Sequence, residues 1–375
     1  MRAQRVSVAL ITNTISKPGG AEYVTIAMYD SLRKLKNVHV FILGREDHIV
    51  TNALAKWVAP DLAYDISKHY IHMHRFPLNT LLDLRKYNLI INTCSNEVLA
   101  PAHIHYLHWI FSPYGIKDSE ALTYYRNAYG ISDQYLKYLI RHVLHLTQIK
   151  VSRLVLANSR YVANLLKDLG VSARVLYPPV RSREIIQSTS YIRRNNRERM
   201  IVTITRIAPG KQLETIPLIA SKVKDAKFIL AGSLNDKDYY MKLLRLKKVF
   251  NADNFTIIPN IDTADLRTLL GKALIYLHTA RHEPFGIAVI EAMAAGAIPI
   301  VHKSGGPWHD ILEEKDGLYG YSYSTVEEAI EKIRDIISNP YRHVEVSERA
   351  RLRALAFDEQ TFKAKFREII KNLLK

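Results

Sequence analysis

The sequence predicts an α/β protein of two Rossmann-like domains, each a parallel sheet covered by helices on both faces. Three observations predict it. Short β-branched runs alternate with helical stretches along the whole chain. The runs are apolar almost throughout, as in strands buried on both faces of a sheet. The alternation comes as two successive sets, with a polar segment between them.

The first set is "VSVALIT" (6–12), "VHVFIL" (38–43), "NLIINT" (88–93) and "RLVLAN" (153–158). The second is "MIVTIT" (200–205), "AKFILAG" (226–232), "FTII" (255–258), "LIYLH" (274–278) and "IPIV" (298–301). Between them "YPPVRSREIIQSTSYIRRNNRER" (177–199) begins with paired prolines and turns basic, and it reads as the linker. The last segment, "DEQTFKAKFREIIKNLLK" (358–375), is an amphipathic helix opened by Asp358; in two-domain folds of this shape such a helix crosses back to the first domain. The expected division is therefore 1–178, 179–357 and 358–375.

The chain of 375 residues is long enough for two cores, and 48% hydrophobic with 24% charged residues is the composition of a folded globular protein. A formal net charge of +17 directs attention to negatively charged partners: nucleic acid, an anionic membrane or phosphorylated substrates. No basic-aromatic RNA motif, zinc module or recognition helix supports nucleic acid. Cys94 is the single cysteine, so no internal disulfide is possible, and no Cys/His cluster has metal-ligand spacing. The opening "MRAQRVSVALITNTIS" reads as a first strand rather than a signal peptide, and no run of about 18 apolar residues predicts a membrane-spanning helix.

Two strand-loop-helix turns could hold an anion. Gly19 and Gly20 follow the first strand and precede a helix, where backbone can approach a ligand and helix N–H groups face it. In "IVTITRIAPGKQLETIPLI", Arg206 and Lys211 flank a Pro-Gly turn at a strand's carboxyl end, where open α/β sheets bind ligands. Neither has the Gly-Lys-Ser/Thr ending of a Walker loop. In "RHEPFGIAVIEAMAAG" (281–296), Glu283 precedes a Pro-Phe-Gly turn and Glu291 interrupts an apolar helix. A carboxylate there costs several kcal/mol unless partnered. Its partner is a buried cation, backbone donors or a ligand. Residues 120–150 carry an amphipathic pattern, with Leu136, Leu139, Ile140, Val143 and Leu144 on one face. Lys137, Arg141 and His145 recur on another, with Tyr138 among several tyrosines. The segment is either packed on the core with a solvated basic face, or membrane-facing.

In their order, "GGAE", "ANS" (157–159), "RIAPGK" and the two-glutamate motif resemble retaining glycosyltransferases of the GT-B fold, in the family-4 class that uses nucleotide sugars. "LHTARHEPFGIAVIEAMAAGAIPIVHKSGGPWHDI" (277–311) and "HYLHWIFSP" (105–113) resemble, more narrowly, the α-1,2-mannosyltransferases that extend lipid-linked oligosaccharides in N-glycan assembly. Arg281 and Pro284 depart from the eukaryotic pattern.

The resemblance implies two domains facing a deep cleft, GDP-mannose as donor and a polyprenyl-linked (dolichyl) glycan as acceptor. It further implies an α-linked product and a peripheral place on the cytoplasmic face of the membrane. By the same resemblance Glu291 accepts the ribose hydroxyls, and Glu283 faces the transferred sugar and its phosphate. Phe285, Gly286 and Ile287 present N–H groups to the diphosphate or sugar, and His108 hydrogen-bonds the mannose. Arg206 and Lys211 would stabilise the leaving diphosphate, so no cofactor and no essential metal is expected. A family-4 transferase using a UDP-sugar, a GT-B epimerase or phosphorylase, and a basic nucleic-acid-binding protein are the alternatives.

Overall fold

The computed structural model describes residues 5–15, 19–45, 51–73, 84–94, 100–109, 135–190 and 197–373. The chain divides into two compact units: Met1–Leu122 with Gly130–Pro179 and Glu359–Lys375, and Thr123–Tyr129 with Val180–Asp358.

The first unit holds a seven-stranded sheet of order β3-β2-β1-β4-β5-β6-β7, in which every pair is parallel. Its strands are β1 Val6–Ile11, β2 Val38–Gly44, β3 Tyr70–His72, β4 Leu89–Asn92, β5 Ile104–Leu107, β6 Leu154–Ala157 and β7 Arg174–Val175. Its described helices are α1 Gly20–Leu32, α2 Thr51–Leu54, α3 Pro60–Lys68, α4 Tyr135–Lys150 and α5 Arg160–Asp168, with α13 Glu359–Leu373 from the chain's end. In α13 the buried Phe362, Phe366, Ile369 and Ile370 recur at helical spacing and join Val8, Leu10, Val24 and Met28 in one core. Lys363 of the same helix lies 2.6 Å from Asp30 of α1, and Tyr23 donates to Glu359 at 2.6 Å. The terminal helix is thus an integral layer of the first unit.

The second unit holds a six-stranded sheet of order β10-β9-β8-β11-β12-β13, again with every pair parallel. The strands are β8 Glu198–Ile204, β9 Lys227–Gly232, β10 Phe255–Pro259, β11 Ala273–His278, β12 Ile298–His302 and β13 Tyr321–Tyr323. Its helices are α6 Ser182–Thr189, α7 Thr215–Lys222, α8 Lys237–Val249, α9 Thr263–Lys272, α10 Ile287–Ala295, α11 Val326–Ser338 and α12 Val344–Ala354. Ile201, Phe228, Ile275 and Ile300 of the central strands meet Ile216 and Ile219 of α7 and Ile333 and Ile337 of α11 in the core. On the other face α10 packs against α6, α9 and α12. A helix enclosed by three others needs apolar residues on every side, which accounts for "IAVIEAMAA".

All nine expected strands are present. β3, β5, β7 and β13 were not anticipated as strands: they are two to four residues long and, unlike the equally short β4 and β6, contain a histidine, arginine or serine in place of a continuous apolar run. The segment expected as linker contains α6, whose buried face is only Ser182, Ile185 and Thr189. So small and polar a stripe does not register as amphipathic.

Candidate functional site

β8 and β11 are neighbours at the centre of the second sheet, and strand order reverses between them: β9 and β10 lie to one side, β12 and β13 to the other. Loops leaving their carboxyl ends diverge there and open a crevice, the usual ligand position in doubly wound sheets. The loop after β8 carries Arg206 and Lys211; the loop after β11 carries Thr279 to Gly286.

The two loops meet. Lys211 Nζ lies 2.5 Å from Glu283 Oε2, with the side chains 19% and 21% exposed. Lys211 sits between two left-handed residues, Gly210 at φ +85° and Gln212 at φ +52°. For a residue with a side chain such as Gln212, that conformation costs about 1–2 kcal/mol, and it is held by neighbours. Thr279 Oγ1 donates to the Lys211 carbonyl at 2.7 Å and so fastens one loop to the other.

Glu283 is fixed from behind by "KSGGP". Gly306 N–H donates to the Glu283 carbonyl at 2.7 Å, and His282 N–H donates to Ser304 Oγ at 3.0 Å. A Cβ on Gly305 would stand 2.5 Å from the Glu283 carbonyl oxygen, and one on Gly306 would stand 2.4 Å from that of Pro284. Both glycines are required by this close approach. Burial pushes the Glu283 carboxyl up, but Lys211, His278 and Arg206 more than offset it and hold it below the usual carboxylate range. Arg206 itself is exposed.

Glu291 differs. It makes no hydrogen bond to any described residue, and burial pushes its carboxyl up to about 7 despite the influence of Arg267 and Arg181. Those cations face Glu184 of α6: Arg267 at 2.8 Å and Arg181 at 3.9 Å. The Tyr276 phenol, which donates to the Ile204 carbonyl at 3.0 Å, links the two glutamates electrostatically. Burial holds it well above its ordinary range, and Glu291 and Glu283 both add to the shift. The second unit therefore offers one carboxylate held ionised by Lys211 and a second, without a hydrogen bond, whose carboxyl burial raises, both beside the same strand.

Phe285 is buried with its ring edge-on to Phe357 at 5.6 Å, a core role for the side chain. Gly286 starts α10 at φ +101°, where Pro307 would stand 2.9 Å from any Cβ, and Ile287 is the first helical residue. His108 belongs to the first unit, just after β5. Its Nε2–H donates to the Thr93 carbonyl at 3.0 Å, and burial lowers its pKa to about 4, so the ring is neutral. The Gly19 N–H, expected to face an anion, donates instead to the Glu22 carboxylate at 2.8 Å, the glutamate half of a capping box, and Gly20 opens α1.

Lys137, Tyr138 and Arg141 lie on α4, with side chains outside the described residues. His145, expected on the outer basic face, is buried with His142 and Ile149, while Ile140, Val143 and Leu144 are 54%, 54% and 48% exposed. The helix is rotated from that expectation, because its His-bearing stripe packs inward.

Thr279, Ser304 and the Gly305-Gly306 pair carry the site's geometry, and sequence reading gave them no role. The glycine pair was the available signal. Arg267, Arg181 and Tyr276 offered none, since only folding places them beside Glu291.

A family model described as "Glycosyl transferases group 1" matches residues 188–353. A GDP-Man:Man(3)GlcNAc(2)-PP-Dol alpha-1,2-mannosyltransferase of Dictyostelium discoideum is 31% identical over 243 residues, 60% of this chain and 48% of that protein. The Homo sapiens protein of the same description is 27% identical over 242 residues, 60% and 49% of the two chains. The match thus spans about half the length of these relatives. Among solved structures, Anabaena HepE in complex with UDP superposes with a TM-score of 0.73 at 16% identity, covering 98% of this chain and 100% of that one. Sucrose-phosphate synthase from Thermosynechococcus elongatus gives 0.71 at 15% identity, with 99% of each chain covered. These structural likenesses show the fold.

Proposed function

We propose that this chain, which carries a group 1 glycosyl transferase domain in a GT-B fold, transfers mannose from GDP-mannose to a polyprenyl-linked glycan with retention at the anomeric carbon. The observation that carries the reading is the pair of glutamates at the switch point of the second sheet: Glu283 joined to Lys211, and Glu291 without a hydrogen bond. Support for the donor and acceptor comes from the alpha-1,2-mannosyltransferase relatives.

In this reading the ribose hydroxyls donate to Glu291, which ionises as they bind, because hydrogen bonds to the charged form lower a carboxyl's pKa. Lys211 and Arg206 take the diphosphate, and Lys211 exchanges part of its contact with Glu283 for the phosphate oxygens. Glu283 then faces the sugar end. The bond from the anomeric carbon to the phosphate oxygen breaks, and the acceptor hydroxyl bonds to the same face of that carbon. The hydroxyl's proton passes to the departing phosphate. The protein's main contribution is electrostatic stabilisation of that leaving group, for which two cations and helix N–H groups suffice without a divalent metal. His108 is retained as a hydrogen-bonding partner of the mannose on the resemblance alone.

We further propose peripheral attachment to the cytoplasmic face of the membrane. The exposed ridge of Ile140, Val143, Leu144 and Val151 on and just after α4, beside exposed Lys150 and Arg153, supports it. No helix among the described residues is long and apolar enough to cross a membrane.

The test is incubation with GDP-mannose and a polyprenyl-linked mannosylated acceptor, with and without EDTA, followed by mass spectrometry and NMR of the product. One added hexose in an α-linkage, undiminished by EDTA, is expected. A β-linkage, or transfer only from a UDP-sugar, overturns the mannosyltransferase reading.

A further inference from the structure

His278 ends β11, one strand residue beyond Leu277 of the core and on the same face as Tyr276. Its backbone is fixed by parallel pairing with Val301 and by the Tyr323 hydroxyl, which donates to its carbonyl at 3.0 Å. The residue is 9% exposed, and its Nδ1 is buried without a hydrogen-bond partner. Both members of the Lys211–Glu283 pair act on the ring electrostatically, but each bonds the other and neither bonds the imidazole. A desolvated ring nitrogen with no compensating bond, beside the site's ion pair, is left incomplete by the polypeptide.

The ligand group that completes it follows from its charge. Burial lowers the imidazole's pKa to about 4, with Lys211 opposing and Glu283 favouring protonation, so the ring is neutral near pH 7. A neutral imidazole offers one N–H and one lone pair. Phosphate oxygens only accept, and the neighbouring cations Lys211 and Arg206 meet them better. A hydroxyl donates and accepts, and it suits either tautomer.

We propose that His278 is a specificity-determining residue of the donor site, its Nδ1 hydrogen-bonding a hydroxyl of the transferred hexose. The inference rests on the transferase reading above and assigns the sugar subsite within it.

The test compares the parent with His278→Ala, His278→Asn and His278→Gln. The Asn amide reaches the position of Nδ1, whereas that of Gln reaches the position of Nε2. Calorimetry measures affinity for GDP and GDP-mannose, with UDP and UDP-glucose as a second pair, and steady-state transfer gives kcat/KM. The expected result is unchanged GDP affinity in all three variants. With GDP-mannose, kcat/KM should fall about 10²-fold or more in Ala and Gln and recover to within roughly fivefold of the parent in Asn, since a missing buried hydrogen bond to a substrate hydroxyl costs that much. A folded Gln variant as active as Asn, an Ala variant equal to the parent, or equal loss of affinity for GDP and GDP-mannose would overturn the assignment. If the parent binds only the UDP pair, the GDP-mannose reading fails while the same comparison on UDP-glucose decides His278. If it binds neither pair, both fail.

Discussion

Folding raises the Glu291 carboxyl, and its protonation gives two measurable consequences. Its carboxyl is raised from the ordinary 4.5 to about 7, so the folded protein keeps a proton that the unfolded chain releases. Between these values stability falls as pH rises, and the full cost is present above about pH 7. Glu291→Gln should therefore gain on the parent by up to about 3 kcal/mol above pH 7 and lose that advantage below about pH 4.5, read by thermal melts across pH. Nucleotide binding should act in the opposite sense: if ribose hydroxyls donate to the carboxylate, GDP binding at pH 6 expels a proton from the parent and none from Glu291→Gln. Calorimetry in buffers of different ionisation enthalpy reads that proton, and equal GDP affinity with equal proton release in both proteins removes Glu291 from the ribose. For the paired carboxylate, Lys211→Ala should lower turnover by about 10²-fold or more, as loss of a charge partner of the leaving group does. Glu283→Gln should impair transfer but spare GDP. Turnover close to normal in a folded Lys211→Ala protein would take that lysine out of the mechanism.

At the scale of elements, the site depends on two loops being held against each other, and two substitutions probe the hold. Gly306→Ala places a methyl 2.4 Å from the Pro284 carbonyl oxygen and 2.6 Å from Phe285 Cα, both backbone atoms that cannot swing away. Overpacking of that kind costs roughly 1–3 kcal/mol, and here it pushes the Glu283 turn out of place. The expected result is a lower Tm and transfer reduced well beyond the fraction unfolded. Thr279→Val keeps the shape but deletes the bond to the Lys211 carbonyl, freeing a loop that already holds Gln212 in a left-handed conformation. Turnover should fall by about tenfold, while Tm changes little because one hydrogen bond contributes about 1 kcal/mol. On the first unit, Ile140→Asp with Val143→Asp should reduce flotation with anionic vesicles, and added salt should reduce it further by screening. Flotation unaffected by the double substitution would show that the ridge of α4 does not meet lipid.

At the scale of the molecule, the last helix completes the first unit's core across more than 300 residues of sequence, since Lys363 and Asp30 are separated by 333 positions. Lys363, Lys34 and Arg33 hold the Asp30 carboxyl well below its ordinary range, against burial that acts the other way. That contribution is present above about pH 4 and is lost as pH falls below it. Lys363→Met should make stability fall less steeply with acid than in the parent and destabilise the protein by about 1–3 kcal/mol, less than a solitary buried charge because Lys34 and Arg33 remain. What the sequence by itself determined was local and periodic: nine strands read from apolar runs, the amphipathic last helix with its apolar residues at helical spacing, and a carboxylate set in an apolar helix. These are properties of segments, legible because side-chain period and backbone preference act over a few residues. The short strands β3, β5, β7 and β13 and helix α6 were not legible, since partners across the sheet or core stabilise them rather than their own pattern. Only the tertiary structure decided that Lys211 and Glu283, 72 residues apart, bond each other and that Arg267 and Arg181 serve Glu184. It alone also showed that burial raises the Glu291 carboxyl, that the Gly19 N–H is met by Glu22, and that α4 turns His142 and His145 inward and Ile140, Val143 and Leu144 outward. The reason is that ion pairing, desolvation and helix rotation depend on which distant groups share a volume, and that arrangement exists only after the chain has packed.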